Sequence, residues 1–184
     1  GQPYIYHGGG GRCMGGKLDK NDWTKISGTM TVQEGLSDFH EGTWVFKRNG
    51  VYYLMHADNH GDDGNQLKYA TSNSPLGPWT PQGVILYATG CDTSHGSIVE
   101  YKGQWYLFYH TSNASGEYNL RSVCVDPLYF NADGTIQVVK NWGEPYNGTH
   151  TISVKNNTTD IALKLEAEDF NTGSHYGYWD KTTG

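Results

Sequence analysis

Three segments of the chain each begin at a turn glycine, which is followed by alternating aromatic and aliphatic residues. The segments are GQPYIYH from Gly1, GVYYLMH from Gly50 and GQWYLFY from Gly103, so the pattern recurs after about 50 residues. Alternation with a period of two predicts β-strands with one strongly buried face. Two of the glycines follow an apolar run that ends in a short turn, in TWVFKRNG and GSIVEYKG. Each repeat is therefore predicted to contain at least a β-hairpin.

Further short strands fit within the repeats, namely LKYATS (67–72), GVILYA (83–88) and LRSVCVDPLYF (120–130). SNSPLGPW and NADGT separate them as turn sequences, and no stretch shows convincing helical periodicity. About four strands in about 50 residues is the size of a propeller blade. We predict an all-β fold with about three blades of a propeller; a β-sandwich with coincidentally similar hairpins is the alternative. Because propellers need closure and Gly1 begins in mid-hairpin, this interpretation implies further blades upstream.

The character of the sequence changes towards the C-terminus. Residues 1–145 are predicted to be the C-terminal blades of the propeller, and 146–162 form a polar, Asn- and Thr-rich linker. Residues 163–184, which start with LKLEAEDF, are predicted to begin a second module. About 20 residues cannot bury a core of their own, so we expect this part to be poorly ordered.

Composition narrows the range of partners. Aromatic residues make up 14% of the chain, with 14 tyrosines and 6 tryptophans, and such flat, hydrogen-bonding side chains are suited to stacking on sugar rings. A net charge of −6 without a basic cluster argues against nucleic acid, and the lack of a long apolar run argues against a membrane span. The three cysteines form no CxxC pattern, and their odd number leaves at least one without an intrachain partner.

Glu41 is the first candidate for chemistry, because it precedes the strand TWVF. Residues at the start of a blade's first strand point towards the axis of a propeller. Phe39 and Trp44 would shield the carboxyl from water, an environment that favours the protonated form needed by a general acid. An exposed loop glutamate is the alternative.

His95 holds a similar position in the next repeat, before the strand GSIV, and we expect it to face the same axis. A structural, hydrogen-bonded histidine is the alternative. Thr93 belongs to the same loop, whose hydroxyl and carboxyl groups suit sugar hydroxyls or ordered water around an ion. Arg121 lies beside apolar strand residues and needs a partner, either a carboxylate such as Asp126 or a set of hydroxyls.

Four segments together resemble glycoside hydrolase family 43: FHEGTWVFKRNGVYYLMHAD, TSNSPLGPW, SHGSIVEYKGQWYLFYH and LRSVCVDPLYFNADGTI. The likeness covers about residues 1–140. It implies a five-bladed propeller that cleaves arabinose or xylose units from plant polysaccharides, so the chain would hold part of that propeller. LKLEAEDF is similar to the opening of a family 6 carbohydrate-binding module, a β-sandwich.

The resemblance also implies roles for particular residues. Glu41 would be the general acid, His95 would reach a calcium ion or water cluster on the axis, and Arg121 would hydrogen-bond the sugar in the cleavage subsite. A family 43 enzyme inverts the anomeric centre and needs a base aspartate and a further acid, both upstream of the GQPYIY strand. Residues 1–184 alone are therefore expected to show little or no turnover. Thr43 stands where the family commonly has proline.

We therefore expect an exo-acting, inverting α-L-arabinofuranosidase or β-xylosidase that acts on arabinoxylan or its oligosaccharides. The resemblance implies no organic cofactor. We expect a monomer, and a polymeric substrate implies secretion. A non-catalytic sugar-binding propeller is the first alternative, because an aromatic funnel suffices for it. A structural or protein-binding propeller is the second.

Overall fold

The computed structural model describes residues 1–58, 64–113 and 115–139. Ten strands lie in these ranges: β1 (Tyr4–Gly9), β2 (Arg12–Leu18), β3 (Ile26–Val32), β4 (Phe39–Arg48), β5 (Val51–Asp58), β6 (Leu67–Ser72), β7 (Thr80–Leu86), β8 (Ser97–Tyr101), β9 (Gln104–Thr111) and β10 (Ser122–Leu128). They form three antiparallel sheets: sheet A (β1–β2–β3), sheet B (β4–β5–β6–β7) and sheet C (β8–β9–β10). The prediction of an all-β fold is confirmed. The predicted linker and second module, residues 146–184, lie outside the described residues.

The two predicted hairpins close through two-residue turns in which both residues have positive φ. Asn49 and Gly50 have φ of 48° and 84°, and Lys102 and Gly103 have 51° and 81°. This is the type I′ geometry, whose twist matches that of the flanking strands. The glycines that open the second and third sequence repeats, Gly50 and Gly103, are thus the second residues of hairpin turns.

Sheet A contains two strands that the sequence analysis did not predict, β2 and β3. β2 reads RCMGGKL and lacks apolar alternation, because two of its glycines face bulky side chains. A Cβ on Gly15 would lie 2.6 Å from Nε2 of Gln33, and one on Gly16 would lie 2.3 Å from the sulfur of Met30. Glycine within β2 leaves room for side chains from β3 and the residue after it, and it does not break the sheet.

The central strands of sheet B, β5 and β6, are buried on both faces. Towards sheet C, Met55 and Leu67 pack against Leu107 of β9, and all three are fully buried. On the other side, Leu54 packs with Cys13 of sheet A. Because neighbouring residues of β5 serve opposite faces, its sequence VYYLMHAD reads as an almost continuous apolar run.

Hydrogen bonds that involve aromatic side chains hold sheet C and the segment after β10 against sheet B. Trp44 Nε1 of sheet B donates to the carbonyl of Ile98 in sheet C at 2.9 Å. The Tyr53 hydroxyl donates to the carbonyl of Gly134 at 2.8 Å, and the Ile136 N–H donates to the Tyr69 hydroxyl at 2.8 Å. The segment after β10 is thereby fastened to sheet B.

Among the residues that the structure describes, no helix has the length and apolar character needed to cross a membrane.

Leu107 provides a test of the packing between sheets B and C. Its side chain is 0% exposed, so Leu107→Ala leaves a cavity and should lower the free energy of unfolding by about 2–5 kcal/mol. Val138→Ala is the control, because this valine is 47% exposed and its loss should cost about 0.5 kcal/mol or less. Urea denaturation followed by tryptophan fluorescence measures both. Equal losses would contradict the described packing.

The three cysteines are free and buried, and they provide a second test. Burial raises the pKa of the Cys13 and Cys91 thiols, and it raises that of Cys124 to about 12. Since the thiolate is the reactive form, the native protein should resist iodoacetamide at pH 8. Peptide mass spectrometry should find all three alkylated after unfolding. Native labelling at the rate of a free thiol would show that a site is open.

Candidate active site

Glu41 lies between two irregularities of β4. Phe39 pairs with Asp58, Glu41 with Ala57, and Trp44 with Met55, so the register shifts on both sides of the glutamate. A β-bulge adds a residue to one strand and changes the direction of the side chains beside it. The two shifts set Glu41 apart from the regular alternation of the strand.

Gly42 allows Glu41 and His95 to come together. Its φ of 72° lies in the left-handed region, and a Cβ there would be 2.9 Å from Cδ2 of His95. Glycine is therefore required at this position both by the backbone and by the approach of the imidazole. Nε2 of His95 lies 3.1 Å from Oε1 of Glu41, although the two residues belong to segments of different sheets. The side chains are 42% and 33% exposed, so a ligand can reach them.

His110, which the sequence analysis did not single out, holds the main chain of His95. The His95 N–H donates to Nε2 of His110 at 3.1 Å. Because a backbone N–H can only donate, Nε2 must accept and the neutral ring carries its proton on Nδ1. Burial lowers the pKa of His110 to about 4, with further lowering by Arg121 and His95. The only signal in the sequence was a second histidine at the end of an aromatic strand.

Arg121 and Thr93 form the second pair of the site. Nη2 of Arg121 donates to Oγ1 of Thr93 at 2.6 Å. Of the two predicted kinds of partner, the structure gives Arg121 a hydroxyl, while the Asp126 carboxylate accepts from the hydroxyl of Tyr109 at 2.6 Å. Thr93 has a φ of 55°, which is strained for a β-branched residue. Such strain is typical of functional sites.

The four predicted site residues thus occur as two contacting pairs, and one loop joins the pairs, because Thr93 and His95 are two positions apart. Phe39 and Trp44, which were expected to shield the Glu41 carboxyl from water, make other contacts. Trp44 directs its indole N–H to sheet C, and the Phe39 ring packs on His56 with centroids 5.4 Å apart. Glu41 is left with a partly exposed carboxyl whose neighbour is an imidazole.

The donors around His95 do not by themselves fit a calcium site. Within residues 1–58, 64–113 and 115–139, no group of three His, Cys, Asp or Glu side chains is placed to hold a metal. Calcium prefers six to eight oxygen ligands, whereas His95 offers one imidazole. Ordered water or residues outside these ranges would have to supply the remaining ligands of the predicted ion.

The sequence of this chain is similar to those of known proteins. The profile of the glycosyl hydrolases of family 43 matches residues 1–136. A β-xylosidase of Xylanibacter ruminicola is 45% identical over 103 residues, which are 55% of this chain and 31% of that protein. A xylosidase/arabinosidase of Bacteroides ovatus is 43% identical over 116 residues, 62% of this chain and 35% of that protein. The chain therefore spans about a third of these curated relatives.

Solved structures show the same likeness. A GH43_1 enzyme from Xanthomonas citri complexed with xylotriose has a TM-score of 0.71 and 32% identity, over 78% of this chain and 55% of that chain. An α-L-arabinofuranosidase from Clostridium thermocellum has a TM-score of 0.65 and 32% identity, over 75% and 48%. A β-xylosidase/α-arabinofuranosidase from a compost metagenome, described as a calcium-free form with xylotriose, has a TM-score of 0.69 and 30% identity, over 76% and 54%.

Gly42→Ala tests the contact between β4 and His95. Both this change and Gly50→Ala place alanine at positive φ, so each should destabilise the fold by about 1–2 kcal/mol. A Cβ on Gly50 meets nothing within 4 Å, whereas one on Gly42 meets the His95 ring. Long-range ¹H–¹⁵N NMR spectra should therefore show shifted His95 ring resonances in Gly42→Ala and unchanged ones in Gly50→Ala. Unmoved resonances in Gly42→Ala would contradict the contact.

Proposed function

Because the chain belongs to the glycosyl hydrolases of family 43, we propose that the whole protein is an inverting exo-glycosidase that removes xylosyl or arabinofuranosyl units from arabinoxylan. The names of its relatives support this substrate class, and the structures from Xanthomonas citri contain xylose or xylotriose. The observation that carries the proposal is the Glu41 carboxyl, set between two register shifts and facing His95 across two sheets.

Glu41 acts as the general acid in this proposal. Its carboxyl donates a proton to the glycosidic oxygen as the bond to the anomeric carbon breaks, so that the leaving group departs as a neutral alcohol. Inversion then requires a second carboxylate, about 6.5–9.5 Å away, that activates water on the opposite face of the sugar. We assign that base to a part of the protein outside residues 1–184.

His95 positions the acid. Its Nε2 contacts one carboxyl oxygen of Glu41, which leaves the other oxygen to face the substrate. A proton on either partner satisfies the contact, since Nε2–H can donate to the carboxylate and the protonated carboxyl can donate to Nε2. A calcium ion beside His95 stays a prediction. Metal analysis of the purified full-length protein tests whether the ion is present.

Arg121 and Thr93 bind the sugar. A guanidinium carries five N–H donors, and the bond to Thr93 uses one of them. The remaining donors can reach hydroxyl oxygens of a pentose in the cleavage subsite. The fixed Arg121–Thr93 contact lowers the entropy lost when the sugar binds, because the guanidinium plane is already held.

Two further expectations accompany the proposal. A polymeric substrate is met outside the cell, so we propose that the protein is secreted. The likeness of residues 163–184 to a carbohydrate-binding module stays a prediction, and so does the monomeric state.

Glu41→Gln in the full-length protein tests the acid. With xylobiose or an alkyl arabinofuranoside, kcat should fall by about 10²–10⁴-fold, because the leaving oxygen then departs without a proton. With a dinitrophenyl glycoside the loss should be much smaller, since that leaving group needs no proton. Glu100→Gln is the matched control, because this glutamate is exposed on β8. The faster of the 4-nitrophenyl β-D-xyloside and α-L-arabinofuranoside substrates identifies the sugar.

Three other outcomes would change the proposal. Full turnover of xylobiose by Glu41→Gln would mean that another group is the acid. Turnover by residues 1–184 alone would mean that the base lies within this chain. A full-length protein that binds xylo-oligosaccharides without hydrolysing any of these substrates would be a non-catalytic sugar-binding propeller.

A further inference from the structure

A cleft of about 510 Å³ opens at the end of sheet B that lies far from Glu41. Val51 and Tyr53, at the start of β5, contribute to its lining, whereas Glu41 pairs with Ala57 near the end of the same strand. Ala57 lies six positions after Val51 in this extended strand, which corresponds to roughly 20 Å. The cleft is therefore separate from the candidate active site.

Two hydrogen-bonded turns form the walls of the cleft. On one side, the Ser74 N–H donates to Oγ of Ser72 at 3.0 Å, and the Gly77 N–H donates to the carbonyl of Ser74 at 3.2 Å. On the other side, the Thr135 N–H donates to Oδ1 of Asp133 at 2.9 Å. The bond from Tyr53 to Gly134 joins this second turn to sheet B. Both walls are thus held in place before any ligand binds, which reduces the entropic cost of binding.

The lining is polar and almost uncharged. Its hydroxyl and amide side chains include those of Thr71, Asn73, Ser74, Thr80, Gln82 and Thr135, and Asp133 is the one carboxylate among the lining residues. Gln82, an exposed residue of the lining, donates from Nε2 to Oγ1 of Thr71 at 2.9 Å, which orients its amide. Such a lining offers paired donors and acceptors for hydroxyl groups, and it provides no positive charge to hold a phosphate.

We propose that this cleft binds a neutral oligosaccharide, a stretch of the xylan chain, as a site additional to the catalytic one. The volume lies within the range of ligand sites in proteins. Tyr53 is buried and offers no aromatic platform, so hydrogen bonds carry the binding and the dissociation constant should be in the millimolar range. The choice of xylan as the ligand rests on the proposed function. A site of millimolar affinity still contributes when another part of the same polymer is bound at the active site, because the second binding step is then intramolecular.

The test is hydrogen–deuterium exchange of full-length Glu41→Gln protein with xylohexaose at millimolar concentrations. The sugar should slow exchange at residues 73–82, which form the cleft, and separately at residues 90–96, which belong to the candidate active site. Asn73→Ala/Gln82→Ala should weaken the protection of 73–82 by about threefold to tenfold in midpoint concentration, the loss expected for one or two neutral hydrogen bonds. Protection of 90–96 should be unchanged.

Two further variants complete the test. Thr29→Ala/Gln137→Ala removes exposed polar groups outside the cleft and should leave both regions protected. Thr80→Arg fills the cleft from an exposed position and should abolish protection of 73–82 by a different means. Protection of 90–96 alone, or protection of 73–82 that survives both cleft variants, would overturn the inference. Protection of 73–82 alone would uphold the cleft and count against the sugar site of the proposed function.

Discussion

The packing of sheet B against sheet C is the constraint on which the site depends. Glu41 belongs to β4 and His95 precedes β8, so the 3.1 Å contact between them exists only while the two sheets are in place. Met55 and Leu107, both fully buried, supply the apolar contact between the sheets. The indole of Trp44 has a single donor, and its bond to the Ile98 carbonyl fixes one sheet along the other. The packing between sheets B and C thereby sets the distance between the side chains of Glu41 and His95.

The backbone around this contact is irregular. The register of β4 shifts twice within a few residues, Gly42 is left-handed, and Thr93 holds a conformation that β-branched residues avoid. The conformation of Thr93 costs about 1–3 kcal/mol, comparable to the loss of one well-packed core side chain. A regular strand would turn successive side chains to opposite faces and could not present the carboxyl beyond its edge. The buried faces of sheet B provide the stability that offsets this cost.

The sequence predicted the hairpins because two independent signals agreed: period-2 alternation and a glycine at the turn. It did not predict β2, whose glycines make room for Gln33 and Met30, since close packing against side chains of a neighbouring strand leaves no local pattern. The proximity of Glu41 and His95 followed from their similar places in adjacent repeats. His110 could not be found in this way, because its role is to accept the N–H of His95, and a backbone contact is invisible in side-chain spacing.

The proposed division of acid and base between blades has a geometric consequence. A loop that carried both carboxyl groups could bring them closer by a small change of backbone angles. Glu41, in contrast, is fixed to sheet B by its pairing with Ala57, so its distance from a group on another blade is fixed by how the sheets pack. That distance decides whether a water molecule fits between the sugar and the second carboxylate, and with it the stereochemical outcome. In such an arrangement, interior packing far from the substrate determines whether the anomeric centre is inverted.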